Sequence, residues 1–165
     1  SWGIQNFSTS HDHLLCIANI KSDSRVNSSF WYDYGGLQFG QGGSFVTSGY
    51  TTLQMYGDGW TDYYDENGSD SSIKYLHYPG LGGTANTFGV IKIWVPHYAY
   101  TSAYKQAMIQ TFTPNNSSSP NQWSIALVAG VIPFTQAINC IRILDDTASN
   151  FLYGSTFTLY GVDGA

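Results

Sequence analysis

Short apolar or alternating runs, six to eight residues long and most of them closed by glycine or proline, recur along the whole chain. They occupy residues 14–20, 29–34, 51–56, 72–78, 90–95, 105–112, 123–128, 138–144 and 155–160. Gly35-Gly36 and segments 40–43, 57–59, 80–83 and 114–120 supply the breaks. A run this short cannot carry the 3.6-residue rhythm of an amphipathic helix, whereas strands of this length are ordinary. Only residues 101–110 invite a helix, through Ala103, Ala107 and Met108. There, Gln106, Met108 and Gln110 alternate with Ala107 and Ile109, which is strand spacing. About nine strands at regular intervals predict an all-β fold, an antiparallel β-sandwich of jelly-roll-like form.

At 165 residues the chain suits one domain, spanning 1–165. Charged residues are 10% of it and aromatics 16%, with 13 Tyr and 5 Trp, so hydroxyls, amides and rings must supply most of the surface. That is the reverse of a disordered composition, and it suits packing against sugars or against further copies of the chain. With 11 acidic against 6 basic residues, the net charge of −5 gives no surface that would displace counterions from nucleic acid, which is excluded as a partner. No run of 18 apolar residues is present, so no helical membrane insertion is expected. Ser1-Trp2-Gly3 lacks the basic-then-apolar order of a signal peptide and is expected to be a processing boundary. Cys16 and Cys140 are the two cysteines, expected to be buried and free, since one long spacing carries no disulfide framework.

Several strands are apolar on both faces. In residues 90–95, Ile91, Ile93 and Val95 make one face, yet Val90 and Trp94 point the other way. Trp123, Ile125 and Leu127 stand likewise against Ala126 and Val128. A sandwich monomer leaves one face of each sheet to water, so a second apolar face predicts a second covering, most simply another subunit. Self-association is expected through the sheet carrying Trp94 or through the glycine-rich segment 35–49.

The densest group of ligand-like residues is Asp58-Gly59-Trp60-Thr61-Asp62-Tyr63-Tyr64-Asp65-Glu66-Asn67-Gly68-Ser69-Asp70. Read as a loop, it offers Trp60, Tyr63 and Tyr64 as a stacking platform for a pyranose ring, with Asp58, Asp62 and Asp65 accepting hydrogen bonds from its hydroxyls. The same residues suit a protein interface. Its oxygens also raise calcium, but glycine falls at the wrong place for an EF-hand and the closing Glu is missing, so a turn is the simpler reading. His11-Asp12-His13 puts two imidazoles on one side of an extended strand, where an exposed lead-in is the simpler reading than a metal site on a symmetry axis. No metal or other cofactor is expected. Without G-x-S-x-G, H-E-x-x-H or a Cys with an identifiable His partner, the chain is not read as an enzyme. Asn-x-Ser triplets at Asn6, Asn27, Asn67 and in the Asn115-Asn116-Ser117-Ser118 run are frequent by chance in so Asn/Ser-rich a chain.

The closing stretch, Gly154-Ser155-Thr156-Phe157-Thr158-Leu159-Tyr160-Gly161-Val162, puts Ser155, Phe157 and Leu159 on one face and Thr156, Thr158 and Tyr160 on the other. It resembles the final "G-S-x-F/I-x-L-Y-G-I/L/V" strand of many β domains in tailed-phage particles. Upstream, the run from His13 to Lys21-Ser22-Asp23, segment 50–59, and segment 79–99 are similar to that family's first strand, central strand and "P-G…A-N-x-F-G" region, in the same order. The resemblance implies a structural protein of a phage particle: a tail or capsid fibre domain, or a decorating one. It also implies self-association, with a trimer the usual form, docking on other virion proteins, and attachment to the capsid or to a host-surface glycan. A secreted carbohydrate-binding module or lectin acting alone is the alternative. A capsule-degrading enzyme is the third, and it would need carboxylates such as Asp58 and Asp62 converging in a cleft.

Overall fold

The computed structural model describes residues 1–24, 32–59, 61–114, 123–147 and 149–164. Among them are twelve strands and no helix. In chain order these are β1 (Trp2–Gln5), β2 (His13–Ile20), β3 (Tyr32–Gln41), β4 (Ser44–Phe45), β5 (Tyr50–Gly57) and β6 (Asp62–Asp70). There follow β7 (Ile73–Pro79), β8 (Gly89–Val95), β9 (Lys105–Thr113), β10 (Ser124–Ile132), β11 (Cys140–Asp145) and β12 (Thr156–Val162). A seven-stranded sheet runs β12-β2-β8-β9-β10-β5-β6, and a five-stranded sheet runs β1-β11-β3 with β4 and β7 both along the far side of β3. Every pairing is antiparallel. The two sheets pack face to face as a β-sandwich, and residues 105–113 are a strand throughout.

Period-two burial puts the core where alternation requires it. Leu14, Cys16, Ala18 and Ile20 of β2, Ile91, Ile93 and Val95 of β8, and Ala107 and Ile109 of β9 face inward from the larger sheet. Leu37, Phe39, Ile73, Ile141 and Ile143 meet them from the smaller one. In β10 the smaller side chains, Ser124, Ala126, Val128 and Gly130, take the inward places, and Ile125 and Leu127 are turned out. Cys16 and Cys140 are buried, unpaired and in different sheets; burial pushes the Cys16 thiol up to about 12, which keeps it protonated and inert.

Tyrosine, so abundant in the sequence, is partly a core residue whose hydroxyl ties down main chain. Tyr50 Oη accepts the Phe39 N–H at 2.8 Å, and Tyr98 Oη donates to the Ser8 carbonyl at 2.7 Å. Tyr78 Oη lies 2.8 Å from the Tyr34 carbonyl and 2.9 Å from a buried carboxylate oxygen of Asp145. Each ring thus fills the core while its polar tip stays satisfied. The two buried lysines follow the same rule. Lys21 Nζ donates to the Gly83 and Thr84 carbonyls at 3.1 and 2.6 Å, and Lys105 Nζ to the Tyr100 carbonyl.

Two expectations change. Gly35-Gly36, taken as a break, lies inside the ten-residue β3, because a side chain at Gly35 would stand 2.4 Å from the Leu144 carbonyl and one at Gly36 would stand 2.3 Å from Ser72 Oγ. The chain turns at Gly42-Gly43, within the expected break 40–43, where φ of 61° and 85° suits a two-residue hairpin into β4. Segment 35–49 is accordingly mostly strand and hairpin of the smaller sheet. The second change is β6: residues expected to form a loop are an edge strand of the larger sheet. Of the expected strand 29–34, residues 29–31 lie outside the described ones.

Candidate functional site: an apolar sheet face

The strand register sorts the outward residues of the seven-stranded sheet into three rows that cross it fully and a shorter fourth, Gln106, Val131 and Thr51. One runs Tyr160, Leu15, Trp94, Met108, Ala129, Leu53, Glu66. The next runs Thr158, Ile17, Lys92, Gln110, Leu127, Met55, Tyr64, and the third Thr156, Asn19, Val90, Phe112, Ile125, Gly57, Asp62. Leu53, Met55, Val90, Met108, Phe112, Ile125 and Leu127 each leave 40% or more of their surface open, and Tyr64 leaves 77%. Single exposed apolar residues are normal, but here they adjoin one another from β8 to β5 and reach Tyr64 on β6. Lys92, Asp62 and Glu66 are the only charged members of the three rows. None of them makes an ion pair among the described residues.

Shallow depressions mark this face at three places, the smallest of them, about 280 Å³, lined by Lys92, Trp94, Met108 and Gln110. Trp94, Pro96, Met108, Leu53, Val131 and the small Ala129 enclose about 500 Å³, ample for a ligand in volume. Its walls are almost wholly apolar, and Thr51 and Gln106 are the only polar side chains along it. That lining suits apolar side chains better than sugar hydroxyls.

The second depression, beside Gly57, is lined by Met55, Tyr56, Asp62, Tyr63, Tyr64, Ile125 and Leu127. It gathers three of the residues picked out from sequence, Tyr63, Tyr64 and Asp62, but not as one stacking platform. Strand pleating sends Tyr63 to the inner side, where it stacks on Tyr56 at 5.0 Å, and Tyr64 to the outer side. Asp58 is 2% exposed and caps the β5–β6 turn, accepting the Thr61 N–H at 2.9 Å. Asp65 accepts the Tyr75 hydroxyl at 2.7 Å. Asp58 and Asp62 therefore do not flank a common cleft. Trp60 lies outside the described residues.

Behind Tyr63 the rings continue inward. Tyr56 meets His77 at 5.0 Å, and His77 stacks on Tyr32 at 5.1 Å and meets Tyr34 edge-on at 4.8 Å. His77 is fully buried, with Nδ1 3.0 Å from Ser124 Oγ and no hydrogen-bond partner at Nε2 among the described residues. Burial pushes its pKa down to about 3, so the ring is neutral. This pair resembles a nucleophile and its base, but Ser124 is also wholly buried and its hydroxyl lies 2.8 Å from Thr113 Oγ1. Sequence reading missed His77 because an isolated histidine in an aromatic strand carries no motif.

The other proposed ligand groups disperse. His11 Nδ1 pairs with Asp163 at 2.9 Å, while His13 Nδ1 accepts the His97 N–H at 3.1 Å and its ring lies against Trp94. The oxygens of β6 alternate between faces as strand residues must. Among the described residues no three metal-ligating side chains gather. Compared with protein families, curated proteins and solved structures, the chain matches none.

Proposed function

We propose that this chain is a structural β-sandwich domain of a tailed-phage particle, a fibre domain or one that decorates capsid or tail, and that it assembles with copies of itself by burying the outer face of its seven-stranded sheet. The observation that carries the self-association is that apolar face; the virion setting rests on the resemblance of segments 13–23, 50–59, 79–99 and 154–162. Five strands at about 4.8 Å spacing and about seven residues of each give a flat footprint of roughly 550 Å² per copy, and side-chain relief brings the accessible area near the ~800 Å² per partner of a stable interface. Contacts with capsid or host glycan then fall to the surfaces left free. A lone carbohydrate-binding module has no use for so wide an apolar field, and Asp62 is the sole carboxylate in the depression that holds Tyr63 and Tyr64.

Leu127, in the middle row on β10, is the residue to change. Leu127→Asp puts an unpaired carboxylate at the centre of the buried field in every copy, yet in the isolated domain it points to water and leaves the fold intact. By sedimentation velocity at micromolar concentration, the unaltered chain is expected to be associated. The variant is expected to sediment as a monomer, its association weakened on the order of a hundredfold or more. A monomeric unaltered chain would favour the solitary module instead.

A further inference from the structure

The charges on this face select one packing, and we infer that two copies meet about a two-fold axis running along β10, so that Lys92 of each copy is seated on the β6 edge of the other, between Asp62 and Glu66. The inference rests on reading the face as a self-association surface, and it adds the partner's orientation. The exposed apolar side chains occupy β8, β9, β10, β5 and β6, so β10 is the midline of the field. Sheets packed face to face in the aligned manner keep their strands within about 30° of one another, which leaves two arrangements for a pair of copies centred on that midline.

In the first arrangement the axis runs across the strands and each strand lies over its own counterpart. Lys92 then faces Lys92, and Glu66 faces Asp62. Like charges would be brought together and stripped of water, the repulsive element by which interfaces reject wrong registers.

In the second the axis runs along β10, so β8 lies over β6 and β9 over β5. Lys92 shares its row with Tyr64, and Asp62 and Glu66 occupy the rows on either side of Tyr64. The angle of about 30° between the sheets shifts the ammonium, two strands from the axis, by about 5 Å toward one flank or the other, and a carboxylate stands on both. The tyrosine ring between them is itself a favourable face for a cation. Two such contacts form per pair, related by the axis. Met108 of β9 meanwhile lies over Leu53 of β5, Gln110 over Met55 and Phe112 over Gly57. Lys92 is thereby paired at each contact with the carboxylate that the twist brings under it, and the other carboxylate stays at the rim of the field on the edge strand β6.

The test uses two charge-reversed chains, Lys92→Glu and the double variant Asp62→Lys with Glu66→Lys, each checked for native folding by circular dichroism and compared with Leu127→Asp. Alone, each reversed chain brings like charges together at both contacts and is expected to associate at least tenfold more weakly than the unaltered protein. Mixed in equal amounts they are complementary at both contacts, and sedimentation is expected to show mixed dimers of near-normal affinity. If the two charge variants still dimerise normally while Leu127→Asp does not, the face is an assembly surface but this orientation is wrong. A trimeric unaltered protein, or failure of the mixture to regain association, also overturns the orientation. If Leu127→Asp leaves association untouched, the face itself is not the interface and both readings fall.

Discussion

Between pH 6.5 and 3, His77 is expected to remove about 1.4 kcal/mol of folding stability for every unit the pH falls, on the order of 5 kcal/mol across the window. In the unfolded chain the imidazole takes up a proton below about 6.5; in the folded chain burial among Tyr32, Tyr34 and Tyr56 delays that to about 3. The unfolded state therefore binds the extra proton throughout the window. The contribution is fully present above pH 6.5, declines as the pH drops, and levels off below the folded-state value. Asp33 acts in the opposite sense, because burial raises its pKa against the opposing hydrogen bond from Ser22, and the folded state gains from its protonation. The measurement is accordingly a difference: denaturant unfolding of the unaltered chain and of His77→Phe at pH 7, 5 and 4. The variant should lose most of the acid slope. Equal slopes in both proteins would show that His77 is not the group responsible. Against a typical stability of about 5–15 kcal/mol, the effect is large enough to set the acid limit of the fold.

Gly130→Ala is expected to destabilise the domain by about 2–3 kcal/mol, a large effect for one methyl group. A Cβ at this inward position of β10 would stand 2.4–2.5 Å from three carbons of Ile73, the fully buried first residue of β7. At this glycine β10 lies close against β7 of the other sheet, and Ile73 is fully buried in a close-packed core that yields little. Ile73→Val on its own is expected to destabilise by about 1 kcal/mol through the lost methyl. Combined with Gly130→Ala it should recover part of the loss, because the added methyl occupies space the smaller side chain vacates. Thermal or urea unfolding of the two single variants and the double one reads this coupling. Strict additivity of the losses would mean that the two residues do not compete for the same volume.

How much of this was visible in the sequence depends on what each residue type can signal. The alternation of Ile91, Ile93 and Val95 against Val90, Lys92 and Trp94 gave both the strand and its two apolar faces, since pleating makes alternation a direct record of facing. The expected second apolar surface on the sheet carrying Trp94 is present. In β10 the same alternation could not say which face was inward, because Ala126 and Val128 are as apolar in kind as Ile125 and Leu127. The tight approach of Ile73 decides it by demanding glycine at 130. β6 was hidden for another reason. Asp, Asn and Gly are turn residues by local preference, and β6 is a strand because the paired β5 and the hydrogen bond from Tyr75 to Asp65 hold it, which is long-range information. As an edge strand it carries Asp62, Asp65, Glu66 and Asp70, charges that discourage unwanted pairing with other chains. The saccharide platform was drawn for a loop; on a strand, Tyr63 and Tyr64 necessarily part to opposite faces.

The chain has two methionines, and both stand outward on the apolar face, Met55 on β5 with 56% of its surface open and Met108 on β9 with 53%. Their oxidation therefore reports directly on whether that face is covered. With dilute peroxide under native conditions, sulfoxide formation at each site is followed by peptide mass spectrometry, at micromolar concentration and above, for the unaltered protein and for Leu127→Asp. If the face is buried between copies, both methionines of the unaltered protein oxidise at least about tenfold more slowly than those of the variant, and the protection fades on dilution as copies separate. Equal rates in the two proteins, unchanged by concentration, would contradict the account at its centre.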